Sequence, residues 1–158
     1  MPVRVGDVTD RFRVVPAAYV LLRQGEDVLL QLRQNTGYRD GHWAMAAAGH
    51  VEQDESVFEA AIREAREEVG IDILSADLHP LCGMHRTHRN GRPVDERVDF
   101  FFECRAWSGT PGIMEPAKAA DLQWFRLSDL PEPVVPHERL VLDGLRLGSL
   151  PAIVTYGF

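Results

Sequence analysis

The chain is 158 residues long, with 17 Lys and Arg against 24 Asp and Glu, a formal charge of −7, and 45% hydrophobic and 26% charged residues. That composition suits one globular domain spanning 1–158 and is too apolar for a disordered chain. The negative charge opposes attraction to a long nucleic-acid backbone, so a phosphate-bearing partner needs a local cation between it and the protein.

The opening stretch, Met1 to Phe12, lacks the apolar core of a secretory leader, and no later apolar run approaches membrane-spanning length. A cytoplasmic protein without membrane contact is expected. Val14 to Arg23, a turn at Gln24-Gly25-Glu26-Asp27 and Val28 to Arg33 read as a β-hairpin. Residues 34–42 are turn formers around Tyr38 and read as a loop, followed by a short apolar piece from Trp43 to Ala47. At Ser56 the period becomes helical: Ser56 and Glu59 form a capping-box signature, and Gly70 is the natural stop. Leu78 to Arg86 and Arg97 to Trp107 read as strands, the second buried on both faces, with a polar loop over 87–96 between them. Asp121 to Leu127 reads as the last strand, Pro131 to Pro136 as a stiff connector and His137 to Leu147 as a closing amphipathic helix. Cys82 and Cys104 match no zinc spacing and are expected as buried thiols.

The helix from Ser56 carries the chemistry. Phe58, Ile62, Ala65 and Val69 form an apolar stripe, while Glu64, Glu67 and Glu68 stand at i, i+3 and i+4 on another side. Such close like charges repel by about a few tenths of a kcal/mol per pair, and a hard divalent cation reverses that sign. Val57, Ala60 and Ala61 beside them are small to medium, which would let a phosphate and its metals approach the helix. Arg63, four residues before Glu67, is placed to orient it. An isolated acidic trio is ordinarily a solvated helix face; its surroundings decide otherwise here.

Gly49, Glu55, Arg63, Glu64, Glu67, Glu68, Gly70 and Ile71 stand at the spacing Gly-x5-Glu-x7-Arg-Glu-U-x-Glu-Glu-x-Gly-U, U being aliphatic. The segment therefore resembles the Nudix box. Ala65 fills a U position usually held by a bulkier aliphatic, and Ala47-Ala48-Gly49-His50 replaces the usual proline and two glycines. Arg33 to Trp43, Met114-Glu115-Pro116-Ala117-Lys118, Leu122 to Phe125 and Leu130-Pro131 are similar to members that hydrolyse nucleoside triphosphates.

The resemblance implies an α/β fold, a Nudix-type α/β/α sandwich with a mixed sheet. It implies Mg²⁺, with Mn²⁺ as a substitute, held by Glu64, Glu67, Glu68 and the Ala48 carbonyl. Glu52 and Glu55 would support the loop. Glu64 or Glu67 would be the catalytic base beside Arg63, with Glu115 as a further candidate. Arg33, Tyr38, His42, Glu115 and Lys118 would bind substrate, Trp43 and Phe125 would stack on a base or belong to the core, and His85 and His88 flank the polar loop. The implied reaction is Mg²⁺-dependent hydrolysis of a diphosphate linkage in a nucleoside diphosphate joined to another moiety. A (deoxy)nucleoside triphosphate, such as an oxidised purine nucleotide, leads. Hydrolysis of ADP-ribose or another nucleotide sugar, and a non-catalytic nucleotide-binding module, are the alternatives. The family's isomerase branch uses a catalytic cysteine, for which Cys82 and Cys104 lack the surroundings. The expected partner is a small nucleotide-like substrate, with a homodimer as the assembly allowed.

Overall fold

The computed structural model describes residues 11–158. Its strands are β1 (Val15–Gln24), β2 (Asp27–Arg33), β3 (Trp43–Met45), β4 (Ala47–His50), β5 (Leu78–Arg86), β6 (Arg97–Cys104), β7 (Ala119–Arg126) and β8 (Ile153–Tyr156), with helices α1 (Val57–Val69) and α2 (Pro136–Leu147). All eight strands belong to one mixed sheet in the order β3-β2-β1-β6-β5-β8, with β4 also on β1 and β7 also on β2. β1 runs parallel to β6 and antiparallel to β2 and β4. The mixed sheet between helical layers is the expected α/β/α sandwich.

β1 sets the two layers, because alternate side chains of a strand point to opposite faces. Ala18, Val20 and Leu22 pack towards α1 with Ala60, Ala61, Ala65 and Val69. Ala17, Tyr19 and Leu21 pack towards α2 with Val141, Leu142, Met84 and Phe101. The consecutive Phe101 and Phe102 divide between these clusters, so β6 is covered on both faces as its sequence suggests.

Helix α1 begins and ends where its sequence signals say. Ser56 accepts from the Glu59 N–H, the Glu59 side chain accepts from the Ser56 N–H, and Gly70 closes the helix in the left-handed region at φ 70°. One expectation is corrected. Ala60 and Ala61 do not leave room for a phosphate: both are fully buried against the sheet, their small size bringing α1 close to β4 and β1. Phe58, conversely, stands at the edge of the stripe, 38% exposed, with its ring 5.1 Å from Phe102.

The chain also ends differently from its reading. β7 is not the last strand, since β8 follows α2 and pairs in parallel with β5. β6 stops at Cys104, short of Trp107, and the apolar piece at 43–47 is divided between β3 and β4. Both cysteines are buried free thiols, as expected. Among the described residues no helix is long and apolar enough to cross a membrane.

Candidate functional site

α1 lays Glu64 and Glu68 against the sheet while turning Glu67 outward. The Glu64 side chain is 12% exposed and that of Glu67 53%. Gly49 on β4 makes this possible, because a β-carbon at that position would overlap the Glu64 carboxylate. Glu64 and Glu68 are close enough to share a hydrogen bond when one is protonated. Desolvation pushes both carboxyls above the ordinary carboxylate range, Glu68 furthest, with Glu64 raising it further. Two buried acids forced together in this way form an anionic site that only partly neutralises itself.

Arg63 is the clamp of the site. Its Nε and Nη2 donate to the two Glu55 oxygens at 2.7 and 2.9 Å, Nη1 to Glu64 at 2.7 Å and Glu67 at 3.2 Å, and Nη2 also to the His50 carbonyl at 3.0 Å. The bidentate fork on Glu55 fixes the guanidinium plane. Glu55 also accepts from the Glu52 N–H, so it supports the loop before α1. Arg63 thus reaches well beyond Glu67, the partner expected from its spacing.

From β2, Gln31 donates to Glu68 Oε2 at 3.1 Å and to the Met45 carbonyl at 3.3 Å. Gln31, Arg33 and Ala48 line both of two adjoining polar cavities. The first, about 270 Å³, is completed by Asn35, Thr36, Glu68, Glu115, Lys118 and Ala119. Glu115 arrives there because the segment before it is tied to the end of α1: the N–H groups of Gly112 and Met114 donate to the Val69 and Glu68 carbonyls.

The second cavity, about 260 Å³, is floored by Tyr19, His137 and Glu138 and flanked by Tyr38, His88, Arg86 and Arg97. Tyr19 and His137 share a hydrogen bond of 3.1 Å, and Glu138 accepts from the Met45 N–H at 2.7 Å. Burial raises the Glu138 pKa to about 7 and, with nearby arginines, holds His137 well below its usual value. Arg86 donates to the buried Asp99 at 2.7 Å, which Arg97 approaches from its other side at 3.6 Å.

Among the described residues Arg33 donates only to neutral acceptors, the Tyr38 carbonyl and Thr36 Oγ1, and lies 5.7 Å above the Tyr38 ring. Its charge is therefore available to an anion in either cavity. His42 lines neither: its main chain closes the 34–42 loop and its ring faces the Asp40 carbonyl. Trp43 and Phe125 pack edge to face, 4.8 Å apart, against the α2-side core rather than standing open for stacking. His88 joins the second cavity, whereas His85 packs on Phe158.

The NUDIX domain family model matches residues 12–145. The chain belongs to the Nudix family. A MutT NUDIX hydrolase from Burkholderia pseudomallei superposes with a TM-score of 0.73 at 29% identity, over 83% of this chain and 97% of that one. Among curated relatives, an NAD-capped RNA hydrolase NudC of Stutzerimonas stutzeri is 30% identical over 75% of this chain, which spans 39% of that protein's length. An isopentenyl-diphosphate Delta-isomerase of Cereibacter sphaeroides is 30% identical over 93% of this chain and 83% of that one.

In this Nudix hydrolase the box residues Gly49, Glu55, Arg63, Glu64 and Glu68 converge as described, with Glu67 joined to them through Arg63. Among the described residues no three His, Cys, Asp or Glu side chains converge as an ion cage, since Glu67 faces solvent and Arg63 fills the space between it and Glu64. The donor chemistry nevertheless fits a hard cation: two desolvated carboxylates, offering only oxygen, sit together, Glu64 in the space that Gly49 leaves.

The floor of the second cavity was not anticipated. Asp99 and Arg86 carried a signal, as charged residues inside apolar strands. Tyr19, His137 and Glu138 come together only through the long-range packing of α2 on β1 and β3.

Proposed function

We propose that this Nudix hydrolase cleaves a diphosphate linkage in a small nucleotide, with Mg²⁺ as its ion, a (deoxy)nucleoside triphosphate such as an oxidised purine nucleotide being the leading substrate. The observation that carries this reading is the pair of adjacent, desolvated carboxylates, Glu64 and Glu68, with Glu68 lining the first of two polar cavities that meet at Arg33 and Ala48.

Glu64, Glu67, Glu68 and the Ala48 carbonyl would hold the ion. A divalent cation in that position supplies charge neutralisation at phosphate oxygens and a lowered pKa for bound water. Arg63 orients Glu64 and Glu67 by donating to both. Glu64 or Glu67 takes the proton from the attacking water at a carboxylate oxygen. Arg33 and Lys118 contact phosphate, and Glu115 lies beside them as a further proton acceptor.

The isomerase relative raises a second reading, and this chain's residues oppose it. Cys82 is packed in the α2-side core, its thiol pushed up to about 11 by burial, and Cys104 lies in the α1-side core. Neither lines the two cavities. A cavity flanked by Arg86, Arg97 and Glu138 would also desolvate charges against a hydrocarbon chain, whereas a heteroatom-rich base would pair with them.

The test is a panel of nucleoside triphosphates, oxidised purine nucleotides, ADP-ribose and isopentenyl diphosphate, incubated with Mg²⁺ and with EDTA, with every substrate and product, including AMP and ribose 5-phosphate, separated and quantified by chromatography. EDTA-sensitive hydrolysis of a triphosphate supports the reading. Preferential turnover of ADP-ribose moves the substrate to nucleotide sugars, and no turnover of any compound points to a binding module.

A further inference from the structure

We infer that Gln31 is a positioning residue for the metal-binding carboxylates: its uncharged amide aims Glu68 at the ion without cancelling the negative charge that attracts it. This rests on the metal site proposed above. Leu29, Gln31 and Arg33 alternate along one face of β2, so Gln31 occupies the step between the α1-side core and the cavities.

The Gln31 amide nitrogen reaches Glu68 Oε2 at 3.1 Å and the Met45 carbonyl at 3.3 Å. One side chain thereby ties the carboxylate to β2 and β3 together. Glu68 lies next to Glu64 on the adjacent turn of α1, where repulsion would turn it away; the Ala48 N–H holds it from the main chain and Gln31 is the side chain that donates to it from β2. A lysine or arginine at position 31 would hold it equally well but would occupy the anionic site with its own charge. A glutamate would add a third repulsion. An amide supplies direction without either effect, as expected of a group in the shell around metal ligands.

The experiment is a Mn²⁺ titration followed by electron paramagnetic resonance, without nucleotide, on the wild-type protein, Gln31→Met, Gln31→Leu and Glu68→Gln. Circular dichroism and thermal unfolding verify that each variant is folded. Both Gln31 variants are expected to bind Mn²⁺ about 10- to 100-fold more weakly. Their kcat should fall with it, while KM for nucleotide at saturating metal changes little. A role confined to stability would shift the melting temperature and leave Mn²⁺ affinity unmoved, and that result overturns the inference. If Glu68→Gln also binds as the wild type does, the metal-site reading fails with it. If Glu68→Gln loses Mn²⁺ while a folded Gln31 variant retains it, only the role of Gln31 is refuted.

Discussion

Glu64 lies so close to the main chain at Gly49 that a β-carbon at position 49 would overlap its carboxylate. A methyl group there must displace either the carboxylate or β4. Gly49→Ala should therefore lower kcat by about 100-fold or more, since small misplacement of a reacting group is costly. The crowding itself should cost about 1 to 3 kcal/mol. Steady-state kinetics and thermal unfolding measure the two effects, and an unimpaired Gly49→Ala enzyme would show that Glu64 need not sit where it does.

Arg63 joins Glu55, Glu64 and Glu67 through one guanidinium, so its shape matters as well as its charge. Arg63→Lys keeps the charge but loses the fork on Glu55, and it should retain most stability while losing turnover. Arg63→Ala leaves the buried Glu64 without its cation and should destabilise the fold by about 3 kcal/mol, in the range for breaking a buried pair. Equal melting temperatures for Arg63→Ala and the wild type would remove Arg63 from its clamping role.

Local signals made α1 and the box legible. Ser56, Glu59 and Gly70 act within a turn of their own positions, and the spacing from Gly49 to Gly70 is itself the pattern of the site. What the spacing could not convey was depth. Glu64, Glu67 and Glu68 share a helix face on paper, yet packing against β4 sequesters Glu64 and leaves Glu67 in water. The second cavity was harder still, because Tyr19 and His137 are 118 positions apart and meet only when α2 closes over β1. β8 was missed because four residues after a helix offer too short a period to distinguish.

A similar difference in depth separates the exposed Glu67 from the desolvated Glu68 by experiment. Glu67→Gln and Glu68→Gln should each lower kcat by orders of magnitude if both hold the ion, but their effects on the metal-free fold should diverge. Glu68→Gln removes an acid whose ionisation burial disfavours, so at pH 8 it should raise the melting temperature, by about 2 to 4 °C per kcal/mol recovered. Glu67→Gln, at an exposed position bonded among the described residues only to Arg63, at 3.2 Å, should leave it nearly unchanged. Calorimetry in EDTA makes the comparison, and a stabilising Glu67→Gln beside a neutral Glu68→Gln would reverse the assignment of burial.

Glu138 gives the fold a pH dependence of defined sign. Its pKa is raised by burial from 4.5 to about 7, so between those values the folded protein holds a proton that the unfolded chain has released. Stability then falls as pH rises through that window, the contribution being complete below 4.5 and lost above about 7. The shift corresponds to about 3 kcal/mol across the window. Glu138→Gln keeps an oxygen to accept the Met45 N–H at the 2.7 Å position and carries no charge. The variant should match the wild type near pH 4.5 and exceed its stability by about 3 kcal/mol at pH 8. Urea unfolding of both proteins at pH 5 and pH 8 measures this directly. A difference that stays constant with pH would mean that Glu138 titrates alike in the folded and unfolded states, and that the second cavity is wetter at its floor than its packing indicates.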